Sequence, residues 1–311
     1  MWLIRYNDIF FEWVIIWDWK NLIQCDTYMN LIKSLFIFIA PVILALIVTY
    51  ALMNIKYSSN IYLQIGLILS ASPLLLFLAN ILLFKNIART NLHLPWVSVP
   101  SFIGYCLVLI VFMKSSNILY VNDMVFALAS FFITFLYIYW YSNNGRIKSG
   151  LLLNSQELPA FQVKDYLGND ILSKSFKGNK TLIFFFRGNW CPLCMAQIDE
   201  IVDLYKKFEE NNINVIFISP QSAKNTKSLS DRYNLSFKFY IDKNNQAATQ
   251  LGIMHKFGLP MGFQALGYES DSVYPTIIAT NEKGNIIYND QTSNYRMRPE
   301  PKELLSIFSI Q

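Results

Sequence analysis

The 311-residue chain is poor in histidine, cysteine and charge, and each shortage excludes something. Four cysteines are too few for a disulfide scaffold. The only histidines, His93 and His255, lie far from any cysteine pair in the chain, so a zinc site, which takes four ligands, is not expected. Charged residues make up 15% of the sequence, but the shortage is local. Up to Ser149 there are nine Lys/Arg and five Asp/Glu; from Gly150 onward there are seventeen and sixteen. The second half is thus nearly neutral and carries no basic stripe, which argues against nucleic acid as a partner.

What the first half has instead is long uncharged apolar runs. Four of them, Leu31–Met53, Ile61–Phe84, Trp96–Met113 and Met124–Tyr141, are long enough to cross a bilayer, which takes about 20 helical residues. Tyr57, Tyr62, Trp96, Tyr137, Trp140 and Tyr141 gather at their ends, as an interfacial belt requires. A buried all-helical core would need polar faces that these runs do not have. Pro41, Pro73 and Pro100 are tolerated in membrane helices, and the absence of an ionisable residue deep in any run argues against ion or proton transport. Membrane lipid is therefore an expected partner and a multi-pass membrane protein, of bacterial inner-membrane type, the expected location. Arg5, Lys20, Lys33, Lys85, Arg89, Arg146 and Lys148 fall on one side of four spans, against Lys56 and Lys114 on the other. The positive-inside rule then puts both ends in the cytoplasm. Residues 1–30 form a leader of uncertain status, with Met29 as an alternative start of signal-anchor form.

Asn143–Ser149 reads as a polar linker. From 150 to 311 strand-like and helix-like segments alternate, the pattern of an α/β domain. An opening hairpin is expected around Leu167–Asp170, a buried strand at Thr181–Phe186, a helix at Cys194–Glu210 and a strand at Asn214–Ser219. A helix at Lys224–Tyr233, a strand at Phe237–Ile241, a hairpin from Val273–Thr280 and Asn285–Tyr288, and a closing helix at Pro299–Ile307 complete the set. The expected fold class is an α-helical membrane bundle followed by this α/β domain.

Cys25 and Cys106 stand alone, whereas Cys191 and Cys194 sit in WCPLC, where a buried strand gives way to a helix. A cysteine at a helix N-terminus faces unpaired N–H groups and the positive end of the dipole, both of which favour thiolate, the reactive form. Pro192 suits the first helical position because it lacks the N–H that would go unpaired there. One turn brings Cys194 under Cys191, so that the pair can close a disulfide, with Cys194 the less exposed. Arg187 is near enough to add positive charge. Two structural cysteines, or a pair used only in assembly, are the alternative readings.

The stretches FFFRGNWCPLCMAQI, VIFISPQSAKNTKSLSDRYNLSFKFYIDKNNQAATQLGI, YPTIIATNEKGNIIY and NYRMRPEPKELL together resemble the alkyl hydroperoxide reductase/thiol-specific antioxidant (AhpC/TSA) family, in its peroxiredoxin-like branch, from about Leu158 to the C-terminus. The resemblance implies a thioredoxin-like fold, oxidoreductase or antioxidant activity and electrons relayed through cysteine. It also implies a cis peptide at Pro275, in Tyr274-Pro275-Thr276, beside the cysteine pair. Two departures stand out: Gly188 occupies the position where a typical peroxiredoxin carries Thr, and Trp190 directly precedes Cys191.

The function expected is a membrane-anchored thiol oxidoreductase in which Cys191 attacks a peroxide or a protein disulfide and Cys194 resolves the product. Trp190, Pro192, Arg187, Pro275 and Thr276 support the pair; an external thiol, such as a thioredoxin-like protein, is the expected reductant; no cofactor or metal is expected. A disulfide reductase on the outer face, or a redox sensor or assembly factor, is the alternative.

Overall fold

The computed structural model describes residues 5–58, 60–115 and 120–309, with side chains described from Tyr28 onward. The side chains of residues 1–27, Cys25 among them, lie outside the described residues.

Four helices form the first half: α1 (Arg5–Asn54), α2 (Ile61–Phe84), α3 (Pro95–Ser115) and α4 (Val121–Phe135). The last continues as a π-helical turn, Leu136–Tyr141. Stretches Tyr28–Asn54, Ile61–Phe84, Pro95–Ser115 and Val121–Tyr141 are each long and apolar enough to cross a membrane, within a few residues of the expected bounds. Small residues let α2 and α3 approach closely, as is usual between helices in lipid. A Cβ on Gly104 would lie 2.6 Å from the carbonyl oxygen of Gly66 and 2.4 Å from the nitrogen of Ser70. Ser101 Oγ donates to Ser70 O at 2.9 Å across the same contact.

The second half is a seven-stranded mixed sheet in the order β2-β1-β5-β4-β3-β8-β9. The strands are β1 (Gln162–Lys164), β2 (Asp170–Leu172), β3 (Lys180–Phe185), β4 (Ile213–Ser219), β5 (Lys238–Ile241), β8 (Thr276–Thr280) and β9 (Ile286–Asp290). β3, β4 and β5 run parallel; β1, β8 and β9 pair antiparallel to their neighbours. A separate two-stranded ribbon, β6 (Met254–His255) with β7 (Ser272–Val273), carries no apolar run long enough to announce itself in the sequence.

Alternation along β3 builds both faces of the sheet. Leu182 and Phe184 pack with Phe217 under α5 (Pro192–Asp203) and the closing helix (Pro301–Ile307), while Ile183 and Phe185 pack with Phe161 and Ile216 on the other face. Each such fully buried side chain contributes about 1.5–3 kcal/mol relative to exposure. The expected helix Cys194–Glu210 is two helices, α5 and α6 (Tyr205–Glu210), because Leu204 leaves the helical region at φ −101°, ψ 12°. The closing helix starts at Pro301, with Glu300 and Glu303 forming a capping box. The arrangement is the thioredoxin-like fold.

This α/β unit caps one end of the bundle. Ser34 Oγ donates to Leu259 O at 3.1 Å, and Arg89 pairs with Glu200. The central tie is Arg296, wholly buried, which donates to Ser142 Oγ (2.8 Å), Thr90 Oγ1 (2.6 Å), Asn91 O (2.9 Å) and Leu92 O (3.0 Å). Beside it, the hydroxyls of Tyr137 and Tyr295 are 2.7 Å apart.

Candidate redox site

The WCPLC segment is held between a parallel strand and a helix. Phe186 N still bonds Ile218 O at 2.9 Å, and the chain then turns at Gly188, whose φ of +128° lies where side chains are rarely accommodated. A Cβ there would sit 3.0 Å from Cδ1 of Trp190. The threonine usual in peroxiredoxins does not fit this turn, which is a physical reason for Gly188. Trp190 Nε1 donates to Arg187 O at 3.0 Å, closing the loop, and Cys191 N donates to Gly188 O at 3.1 Å.

Cys191 is the N-cap of α5, Pro192 stands in its first turn as expected, and Cys194 comes one turn later. The two sulfurs are 2.7 Å apart, and both residues are buried, at 2% and 1% exposure. The expected contrast in exposure therefore all but vanishes: the bundle covers Cys191 as well. The two sulfurs differ in what they face. Cys191 lines a cleft of about 440 Å³ between the loop and helices α1, α2 and α4, with Phe38, Leu78, Tyr141 and Phe263 among its walls. Cys194 lines a small internal cavity with Pro275, Thr276, Asp290 and Arg298.

Charge divides in the same way. Arg298 Nη2 donates to Cys194 Sγ at 3.4 Å, while its Nη1 donates to Gln197 Oε1 at 2.7 Å. Burial raises the thiol of Cys191 well above its ordinary value, and the neighbouring Cys194 adds to the rise. Cys194 is held well below the ordinary value: burial opposes this, but the Cys191 hydrogen bond and the Arg298 guanidinium outweigh it. Of the two sulfurs, Cys194 beside Arg298 is thus the one on which negative charge is favoured. Arg187 stacks on Trp190, with Cζ 4.5 Å from the ring centroid; its charge works to lower the Cys191 thiol, and its backbone hydrogen bond works to lower Cys194.

The expected cis peptide at Pro275 is not found; among the described residues every peptide is trans. The carbonyl of Pro275 accepts from Arg146 Nη1 at 3.0 Å, and Thr276 Oγ1 accepts from Arg146 Nη2 at 2.8 Å. A buried guanidinium thus uses this backbone geometry as its acceptor set. Pro275 and Thr276 nonetheless lie beside Cys194, where the resemblance puts them.

Arg298, Gln197, Arg296 and Arg146 were not singled out as site residues from the sequence. Their partners lie about 100 to 200 positions away, beyond the reach of any local pattern. The one available signal was the paired arginines of NYRMRPEP, unusual just before a helix.

Residues 155–289 match the model of the AhpC/TSA family. Peroxiredoxin Q of Sedum lineare is 28% identical over 95 residues, 30% of this chain and 51% of that protein. Peroxiredoxin Q of Suaeda salsa is 26% identical over 134 residues, 43% of this chain and 58% of that protein. The thiol-disulfide oxidoreductase ResA of Bacillus thuringiensis is 29% identical over 100 residues, 32% of this chain and 57% of that protein. The chain thus spans about half the length of the curated relatives it matches. Among solved structures, AhpC of Enterococcus faecalis superposes with a TM-score of 0.41 at 18% identity, over 51% of this chain and 91% of that one.

Proposed function

We propose that the protein is a membrane-anchored thiol-dependent oxidoreductase, peroxiredoxin-like, in which Cys191 and Cys194 cycle between dithiol and disulfide. The observation that carries this reading is the 2.7 Å contact between the two sulfurs at a helix N-terminus, with a guanidinium on one of them. Cys191, on the side of the larger cleft, is the attacking sulfur. Its proton passes along the short contact to Cys194, which serves as its base. The Cys191 thiolate then attacks a peroxide oxygen, giving a sulfenic acid, or a disulfide sulfur, giving a mixed disulfide. Cys194, returned to the anion beside Arg298, displaces hydroxide or thiolate and closes the Cys191–Cys194 disulfide. An external thiol reductant resets the pair.

The charge distribution along the sequence supports a cytoplasmic position for the domain. The size of the bundle, more than a tether needs, is accounted for by its share in the cleft against Cys191.

The test is steady-state turnover by the full chain in lipid nanodiscs, with dithiothreitol as reductant and hydrogen peroxide or a model disulfide as oxidant. Wild type should turn over at least one of the two, and Cys191→Ser neither; full turnover by Cys191→Ser would sink the reading.

A further inference from the structure

A groove of about 430 Å³ lies outside the carboxyl ends of the three parallel strands, and none of the residues lining it belongs to the four apolar helices. Arg187 follows β3, Gln221 follows β4 and Lys243 follows β5, and all three line it. The carboxyl ends of parallel strands are where α/β sheets place small ligands, and the volume falls within the roughly 300–1,000 Å³ of such sites. Its surface is mixed: Trp190, Tyr166, Leu167 and Tyr268 supply apolar area, and charged groups of both signs stand among them. The redox cycle needs two reactants, an oxidant and a reductant, and this groove touches the loop that carries Cys191 from the side of the α/β unit alone.

Several donors in its wall go without acceptors. Gln221, 4% exposed, accepts from Asn189 N through Oε1 at 2.9 Å; that bond fixes the amide and leaves Nε2 a buried donor with no partner. Arg187, 9% exposed, donates from Nη2 to Gly258 O, while its Nε is a second buried donor with no partner. Helix α7 (Ala223–Tyr233) begins at the groove: Ser222 caps it by accepting from Asn225 N at 3.3 Å. The N–H groups of Ala223 and Lys224 have no acceptor within the helix, and the positive end of its dipole lies there. Lys243 is exposed and has no ion-pair partner among the described residues. The acids are mostly engaged: Asp165 accepts from Leu167 N and Asn169 N, and Asp271 from Phe257 N, which leaves the exposed Glu269. Buried N–H groups left unpaired are costly, and a ligand's carboxylate oxygens would satisfy them.

We infer that this groove binds a short peptide thiol with a free carboxylate, and that this water-borne thiol is the reductant of the Cys191–Cys194 disulfide. The inference rests on the redox reading above and names its reductant. The carboxylate sits on Gln221 Nε2, the start of α7 and Lys243, and an amine on the ligand finds Glu269. A short peptide carries such a carboxylate at its end, whereas a folded protein presents few of them. The thiol end lies at Trp190, the residue before Cys191, which lines both this groove and the cleft that holds Cys191. Neither sulfur lines the groove, so the Trp190 ring turns aside for the reaction. The ligand's thiolate attacks Cys191 Sγ: a new S–S bond forms, the Cys191–Cys194 bond breaks, and Cys194 leaves as thiolate beside Arg298. A second molecule of the thiol attacks the ligand sulfur of that mixed disulfide and releases Cys191. Two thiols are oxidised by two electrons to one disulfide, and their two protons balance the two cysteine thiolates formed.

The experiment uses the full chain in nanodiscs with the pair oxidised beforehand by diamide. Reduction by glutathione, by its diethyl ester and by dithiothreitol is then followed by alkylation and mass spectrometry of the Cys191 and Cys194 peptides. The ester keeps the thiol and loses both carboxylates. Glutathione should reduce the wild-type disulfide faster than the ester by about tenfold, as a hydrogen bond to a charged group entails. In Lys243→Glu and in Gln221→Leu that ratio should fall toward unity. A second measurement on wild type needs no variant: S-methylglutathione, which cannot react, should protect Lys243 from acetylation, while Lys174, exposed and outside the groove, is labelled as before. Equal reduction by glutathione and its ester, a ratio unchanged in both variants, or acetylation of Lys243 unaffected by S-methylglutathione would each overturn the inference while leaving the redox reading standing. A Cys191–Cys194 disulfide that diamide does not form, or that dithiothreitol does not reduce, would overturn the redox reading itself.

Discussion

Arg296 and Arg298 stand two residues apart, both nearly inaccessible, and mark two regions that bury a guanidinium to different ends. Arg296 points to the bundle and spends its donors on hydroxyls and on carbonyls of the loop between α2 and α3. None of those acceptors carries charge, so the contact is one of geometry: it fixes where the α/β unit sits on the bundle. Arg298 points the other way, to Cys194 and Gln197, and one of its acceptors ionises. There the guanidinium sets a protonation state. Successive odd positions in an extended segment thus serve opposite faces, one docking the domain and one poising the sulfur.

That division can be broken from either side. The largest effect is expected from Arg296→Met, which removes at once the hydrogen bonds from a buried guanidinium to Ser142, Thr90, Asn91 and Leu92. The cost should be about 3–5 kcal/mol, read as lost thermal stability in detergent. The Cys191 peptide should also become more open to water-borne maleimide. Unchanged stability and labelling would show that Arg296 does not hold the two halves together.

Arg298→Met should act on the sulfur and little on the docking. Cys194 is depressed in the folded dithiol, so its anion contributes stability that is present above the ordinary thiol range and is lost as pH falls through the depressed value. Without Arg298 that anion forms only at higher pH. Alkylation of the reduced pair should then drop by about tenfold at pH 7 and recover toward pH 9. A pH profile identical to wild type would remove Arg298 from the account.

The smallest effect is expected at the turn. Gly188→Thr, which introduces the residue typical of peroxiredoxins, forces a side chain into φ +128° against Trp190. It should cost about 1–3 kcal/mol, measured by denaturant unfolding of the full chain. A neutral substitution would mean that the loop can adopt the ordinary peroxiredoxin turn.

The comparison also explains what could be read in advance. Strands and helices were legible because their signals are local: TLIFFF and NVIFIS are short apolar runs, and WCPLC with Pro192 marks a helix start. The four apolar helices were legible for the same reason. The burial of Cys191 was not, because the residues that cover it, among them Phe38 and Leu78, belong to helices more than 100 positions earlier. Arg146 read as a flanking charge of the last span, yet its guanidinium lies inside the α/β unit on Pro275 and Thr276.

The central claim is that Cys191 and Cys194 form one redox couple with Cys191 attacking first. The most direct measurement is peroxide treatment of the reduced Cys194→Ser full chain in nanodiscs, in the presence of a sulfenic-acid-trapping diketone, followed by peptide mass spectrometry. A trapped adduct on Cys191, replaced in wild type by a Cys191–Cys194 disulfide, is the result predicted. An unmodified Cys191 in the variant, or a wild-type pair that stays reduced under the same peroxide, would contradict the account.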